Sequence, residues 1–396
     1  MAMKILLSLL LVTPVWGLID SGPITITGQS GTVVTGLHIH GSGNCVTITG
    51  STNITIKNSE IGPCGSNAIV VSGGSGNNIY DNYIHPEAPA GAFGTGNGIY
   101  ASATSTLTIQ GNVIVWGDND LLILDVATLN VTGNFIFQSR GGTGHRGDPI
   151  QVWDASNSHT NYNANTNLTI TNNYVLNCSN DGLDPTYCTS LGSLRSTYVS
   201  NREDTFGIGL STGVVIQNNF LAGHPNSTSG CSLQADYATK NFQYLSNRLV
   251  DTWGGPNFSQ TTTGLADSNK ILSFVNAPSG NCSNVAVSWN WDTSNGLTCS
   301  GISFSNNLGS TLTNGSESTT FFSGQCGSTT ETNDTWGSAA RTTLSADSAF
   351  LTAPVIPPQP FACVAVSPFT NNTGAVCGGS GGSNITAVIS GNVTVH

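Results

Sequence analysis

Two short phrases carry Arg and Asp at one spacing: His145-Arg146-Gly147-Asp148 and Asn201-Arg202-Glu203-Asp204. Charge is scarce in this chain: only 8% of its 396 residues are Asp, Glu, Lys or Arg. A repeated Arg-x-Asp phrase therefore stands out. Two carboxylates held close repel unless a cation lies between them or one keeps a proton. General acid–base chemistry uses carboxylates in that situation. His145 adds a group whose ordinary pKa is near neutrality, suited to moving a proton. The plain structural alternative is a salt-bridge ladder at exposed strand ends.

The neighbouring residues widen the candidate site. Gln151 and Trp153 alternate outward from the strand that follows Asp148, and Asp154 comes next. Asp118, Asp120 and Asp125 bracket an equivalent strand upstream. A Trp beside carboxylates suits a sugar ring, which stacks one apolar face and offers its hydroxyls for hydrogen bonds. Asp181 and Asp184 lie in a long insertion, 177–203, that also holds Arg195. Long ordered loops in a compact domain are usually functional. An alternative register starts a strand at Asn180 and brings Asp181 and Asp184 themselves into the site.

What must position these residues is a repeat. The phrase apolar, two polar, Asn, any residue, apolar occurs at Ile79–Ile84, Ile109–Ile114, Val131–Ile136, Ile170–Val175 and Ile216–Leu221. Weaker copies centre on Ser59, Asn247, Asn290 and Asn307. Between the full copies lie 22 to 46 residues, as expected of one structural turn per repeat with insertions at tolerated points. Each unit reads as strand, sharp corner at the Asn, strand, loop, then a further alternating strand such as Ile150-Gln-Val-Trp153. Coiling the chain lets each strand pair with its own copy one turn on, at ~4.8 Å. Stacked Asn side chains can then hydrogen-bond along the column. Aligned this way, one corner reads Asn67, Asn97, Asn119, then Asp148 and Asp204: a neutral column turning acidic on two consecutive coils.

This pattern resembles the right-handed parallel β-helix of the pectate-lyase-like superfamily, over about residues 22–310. The resemblance implies an all-β, single-stranded coil of about nine to eleven turns acting on an extended polysaccharide in a groove along the helix. It implies β-elimination on a uronate-containing glycan. Ca²⁺ would be held by Asp148, Glu203 and Asp204, with Arg202, Arg146 or His145 as base. Glycoside hydrolysis by paired Asp residues is the alternative. The Asn-Thr-Asp, Asp-Asp, Gly-His-Gly and Arg-Ile-Lys set of the polygalacturonases is missing, and so is a clear Arg-x-Pro-x-x-Arg phrase of pectate lyases. A non-catalytic adhesin-like, glycan-binding or ice-binding helix is the other class; Thr25, Thr27, Thr47 and Thr49 hint at a Thr ladder.

Composition excludes other classes. Ten Lys and Arg against 21 Asp and Glu give a net charge of −11, unsuited to nucleic acid. Strong helix formers are too few for a bundle. Residues 1–17 read as an export signal, with Lys4 before a short apolar run, so a secreted, monomeric protein without a membrane span is expected. Ten Cys fit an oxidising compartment, with Cys178–Cys188 and Cys282–Cys299 as the local pairings to expect. The β-helix is expected over 18–310, with residues 311–396 as a Ser/Thr/Gly-rich cap or tail.

Overall fold

Alternation in the strands becomes a stack of parallel coils. The computed structural model describes residues 18–86, 96–137, 148–153, 165–176, 206–209, 211–222, 233–236, 239–250, 256–258, 261–277, 286–288, 299–313, 316–317, 322–324, 326–351, 388–390 and 394–395. Among the described residues, three sheets run the length of the stack, one of 13 strands and two of 12. In each sheet a strand pairs with its counterpart one coil on, in parallel and in register. Ile99 sits opposite Ile69 on one side and Leu121 on the other, and Leu121 opposite Ile150. Strands such as Ile69–Ser72, Ile99–Ser102 and Leu121–Leu124 bury every second residue. Their inward Ile, Val, Leu and Ala side chains form one continuous core. Burial of apolar surface, about 25 cal/mol per Å², holds the coils together.

The corner from the third sheet (Thr106–Gln110 and its counterparts) to the first (Val113–Val115 and its counterparts) follows one rule. A residue with positive φ precedes a buried Asn: Gly111 at 66° before Asn112, Asn172 at 56° before Asn173, Ser246 at 53° before Asn247. The second polar residue of the repeat phrase is thus the one that bends left-handed, a conformation that Gly and Asn adopt most readily. The Asn then bonds up and down the column. Asn112 donates from Nδ2 to Ile79 O at 2.9 Å and to Asn134 Oδ1 at 3.0 Å, while its own Oδ1 accepts the Asn82 amide at 3.0 Å. The column runs through Asn82, Asn112, Asn134, Asn173, Asn219, Asn247, Asn269 and Asn307 to Asp334. Asn269 holds the place expected of Asn290, which lies outside the described residues. Ala266-Asp267-Ser268-Asn269-Lys270-Ile271 fits the repeat phrase, and the sequence reading passed over it.

The coils also run past residue 310. Thr329–Thr332 pairs in parallel with Ser300–Ser305, and Thr335–Trp336 with Leu308–Thr313. Helices Gly337–Ala346 and Ser348–Leu351 follow, and Leu344 and Phe350 close a second apolar cluster on the outside of the first sheet with Phe135, Phe220 and Leu272. Scarce charge anchors these helices. Lys270 reaches Asp347 at 2.7 Å, Arg341 reaches Glu317 at 2.6 Å, and Arg248 donates to Ala349 O at 2.9 Å. The Lys270 contact holds the Asp347 carboxyl below its ordinary range. Far along the chain, Val388–Ser390 and Thr394–Val395 lie antiparallel on Val33–Thr35 and Ile24–Thr27, the opening coil.

Two disulfides are described, Cys45–Cys64 and Cys299–Cys326. The second corrects the expected Cys282–Cys299 pair. Cys299 and Cys326 occupy stacked positions one coil apart, with Cα atoms at 4.6 Å, so pairing follows the stack and not nearness in sequence. Cys178 and Cys188 lie outside the described residues. No helix among the described residues is long and apolar enough to cross a membrane.

Candidate functional site

The corner that leads into the second sheet carries the candidate acids. Its column begins one coil earlier than the alignment, at Asn44. Asn67 donates its amide to Asn44 Oδ1 at 3.2 Å, Asn97 to Asn67 Oδ1 at 2.9 Å, and Asn119 to Asn97 Oδ1 at 3.2 Å. Asp148 continues it, its amide 2.8 Å from Asn119 Oδ1. Each side-chain oxygen here accepts from the following coil, the reverse of the column through Asn112. Asn97 also donates from Nδ2 to Asn67 Oδ1 at 2.8 Å. A carboxylate has no such donor, and at this point Asn119 turns its own Nδ2 to Gln151 Oε1 at 3.0 Å. Downstream, Ile150 pairs with Phe206, the register that the alignment of Asp148 with Asp204 requires. Asp204 itself lies outside the described residues, as do His145, Arg146, Asp154, Asp181, Asp184, Arg202 and Glu203.

Asp148 is buried, with 2% of its surface exposed. A second Asp shows what a carboxylate can do in such a column. Asp334 ends the long Asn column, and its Oδ1 accepts both the amide and the Nδ2 of Asn307 at 2.8 Å. A carboxylate thus fills an Asn place as an acceptor with no chemistry attached.

The upstream acids separate into different places. Asp120 is wholly buried, and its Oδ1 accepts the Gly117 amide at 2.9 Å, closing a local turn inside the protein. Asp118 is also buried. Asp125 stands at the other end of the strand, with φ of 54°, in the column that Gly50, Gly73 and Ala103 occupy on earlier coils. It is a bend residue a full strand away from Asp148.

Gln151 and Trp153 do point outward, as alternation requires, and both are half-buried. The register sets them in two rows across the second sheet. Val70, Tyr100, Leu122 and Gln151 form one; Ser72, Ser102, Leu124 and Trp153 form the other. On the first coils the same rows hold Thr25 and Thr47, and Thr27 and Thr49. The Thr-x-Thr ladder therefore spans two coils before aromatic and apolar residues replace it.

The sequence reading also missed a buried pair. His85 Nε2 lies 3.0 Å from Glu60 Oε1, with the Tyr83 ring stacked on the imidazole at 4.6 Å. The side chains are 3% and 0% exposed, so the pair is sealed from any ligand. Elsewhere, burial and then the charge of Asp334 push the Glu331 carboxyl up, and hydrogen bonds led by Ser305 hold Asp267 down.

Of the three Ca²⁺ ligands expected, only Asp148 is among the described residues. Ca²⁺ takes six to eight oxygens, and the other two expected ligands, Glu203 and Asp204, lie outside the described residues.

No curated protein matches the sequence. Two structures of the Streptococcus pneumoniae surface adhesin PfbA are similar at 10% identity, with TM-scores of 0.28 and 0.26. Each match covers 81% of this chain, and 77% and 72% of the respective adhesin chains. Similarity at that level says nothing of shared function. Residues 23–95 match the family model described as the right handed beta helix region. Together with the in-register parallel sheets, this makes the chain a right-handed parallel β-helix protein.

Proposed function

We propose that the protein is exported and holds an extended, uronate-containing polysaccharide along the outer face of the second sheet. The observation that carries this reading is the pair of rows Tyr100–Leu122–Gln151 and Ser102–Leu124–Trp153. Coil spacing of ~4.8 Å puts Tyr100 and Gln151 about 10 Å apart, which is the span of two sugar units. Aromatic and apolar groups stack on sugar rings, and Gln151, which accepts from Asn119 with its Oε1, has amide protons to offer a hydroxyl or carboxylate. The export reading rests on the N-terminal apolar run and agrees with the disulfides.

The catalytic form of the proposal is β-elimination at the Asp148 corner. A base from Arg146, Arg202 or His145 takes the proton α to the uronate carboxylate. The glycosidic C–O bond β to it then breaks, its electron pair leaves with the oxygen, which takes a proton from water, and an unsaturated sugar end forms. Non-catalytic binding is the second reading, favoured by the burial of Asp148 and by the purely structural Asp334. One panel separates them. The protein is incubated with acidic and neutral polysaccharides, and ultraviolet absorbance, reducing ends and retention on glycan-containing gels are measured. An unsaturated product establishes the lyase, and reducing ends alone establish hydrolysis. Retention without either establishes binding, and no retention on any glycan overturns the whole reading.

A further inference from the structure

Three side chains on the first two rungs of the first sheet converge far from the Asp148 corner. Asp20 lies on the edge strand Ile19–Ser21, directly opposite His38 on Leu37–Gly41. His38 and His40 alternate along that strand onto one face, their rings 4.6 Å apart. One ligand atom from each of Asp20, His38 and His40 lies within 4.8 Å of the other two. We propose that these residues bind a divalent transition-metal ion, with Zn²⁺ as the reference case.

The donor chemistry supports that choice. Two imidazoles and one carboxylate on one face leave coordination positions open and suit Zn²⁺, Ni²⁺, Cu²⁺ or Fe²⁺; they do not suit Ca²⁺, which requires a shell of oxygens. Around Zn²⁺, ligand atoms at about 2 Å from the metal stand about 3.3 Å from one another in a tetrahedral arrangement. The present 2.7 Å between His38 Nδ1 and Asp20 Oδ1 would open by about 0.6 Å, and His40 would swing in by at most about 1.5 Å. Side-chain rotation supplies both movements, since Asp20 and His40 are exposed.

The orientation of His38 is already set. Its Nε2 lies 3.1 Å from Gly62 O on the next coil, so that nitrogen donates to a carbonyl and Nδ1 is left to meet Asp20 or a metal. A metal-bound His almost always donates its other ring N–H in this way. The carbonyl itself is held by the backbone. Gly62 has φ of 137°, and a Cβ there would stand 1.9 Å from His85 O, so only glycine fits. An ion at this site would tie the edge strand Ile19–Ser21 to the coil beneath it.

The test is calorimetric titration of tag-free, chelator-stripped full-length protein with Zn²⁺, alongside His40→Ala and Asp20→Asn. The expected result is one saturable site per chain with a Kd in the micromolar range or below. Zn²⁺ should raise Tm, because the ion binds the folded form. Each variant should weaken binding by at least tenfold. His40 is exposed, so His40→Ala should melt like the parent without metal, which keeps the result clear should Asp20→Asn loosen the edge strand. Absence of saturable binding overturns the proposal. Undiminished affinity in His40→Ala also does, because the ion would then sit on other histidines.

Discussion

At the scale of single residues, the question is what a carboxylate does where its column uses Asn. Asp148 receives the same backbone geometry as Asn67, Asn97 and Asn119, with its amide on the preceding Oδ1. Asp148→Asn restores an Nδ2 that can donate to Asn119 Oδ1, as Asn97 does to Asn67 at 2.8 Å. It also removes a buried carboxylate. Melting should therefore hold or rise, by calorimetry. If the corner is catalytic, turnover of the substrate found by the glycan panel should fall by about a hundredfold or more, the range of a lost acid–base group. Full activity in Asp148→Asn would move the chemistry elsewhere, with Asp181 and Asp184 the next residues to change. Asp120 and Asp125 illustrate the other outcome for an Asp in this chain: one satisfies a buried turn, the other tolerates a positive φ.

At the scale of the element, a coil is as stable as its corners. Every Asn in the long column both accepts from one neighbour and donates to the next, so one removal leaves a buried amide on one side without its acceptor and takes a donor from the other. Asn112→Ala exposes the Asn82 amide to this loss and strips two donations, to Ile79 O and Asn134 Oδ1. A buried group left unsatisfied costs about 1–3 kcal/mol. Denaturant unfolding of Asn112→Ala should show a loss of that order, with the glycan panel unchanged on the folded protein. An unchanged midpoint would mean that the column is not what sets the corner. The repeat phrase was legible because this corner requires two consecutive polar residues, one bending left-handed and one bonding, between apolar strand residues. Asn269 satisfies the same phrase, with the small Ala266 as its first apolar residue and Ile271 as its last.

At the scale of the whole molecule, a β-helix has two open ends, and strand edges left bare pair with other chains. One end here carries the helices Gly337–Ala346 and Ser348–Leu351, held by Lys270, Arg341 and Arg248. Scarce cations thus serve the cap. The other end is overlaid by Val388–Ser390 and Thr394–Val395 on the opening coil. Deleting residues 388–396 should bare those edges and produce concentration-dependent association in sedimentation velocity, while the intact chain stays monomeric. A truncated chain that sediments and melts like the parent would show that these strands do not protect the edge.

The amino-acid sequence by itself determined the β-helix, the phase of its strands and the outward placing of Gln151 and Trp153. Each depends on a short period: alternation of two within a strand, and one Asn per coil at the bend. It also determined that Asp148 stacks on Asn119, since equal spacing on two coils forces equal position. Only the tertiary structure decided which stacked groups meet across coils of unequal length. Cys299 reaches Cys326, Asp120 turns inward to Gly117, and Asp20 meets His38 and His40. The His-x-His spacing at 38 and 40 was visible, but its carboxylate comes from another strand, at a distance set by one full turn of the coil. Side-chain type and local period are written along the chain; contact between coils depends on register, which each insertion resets and only packing of the core restores.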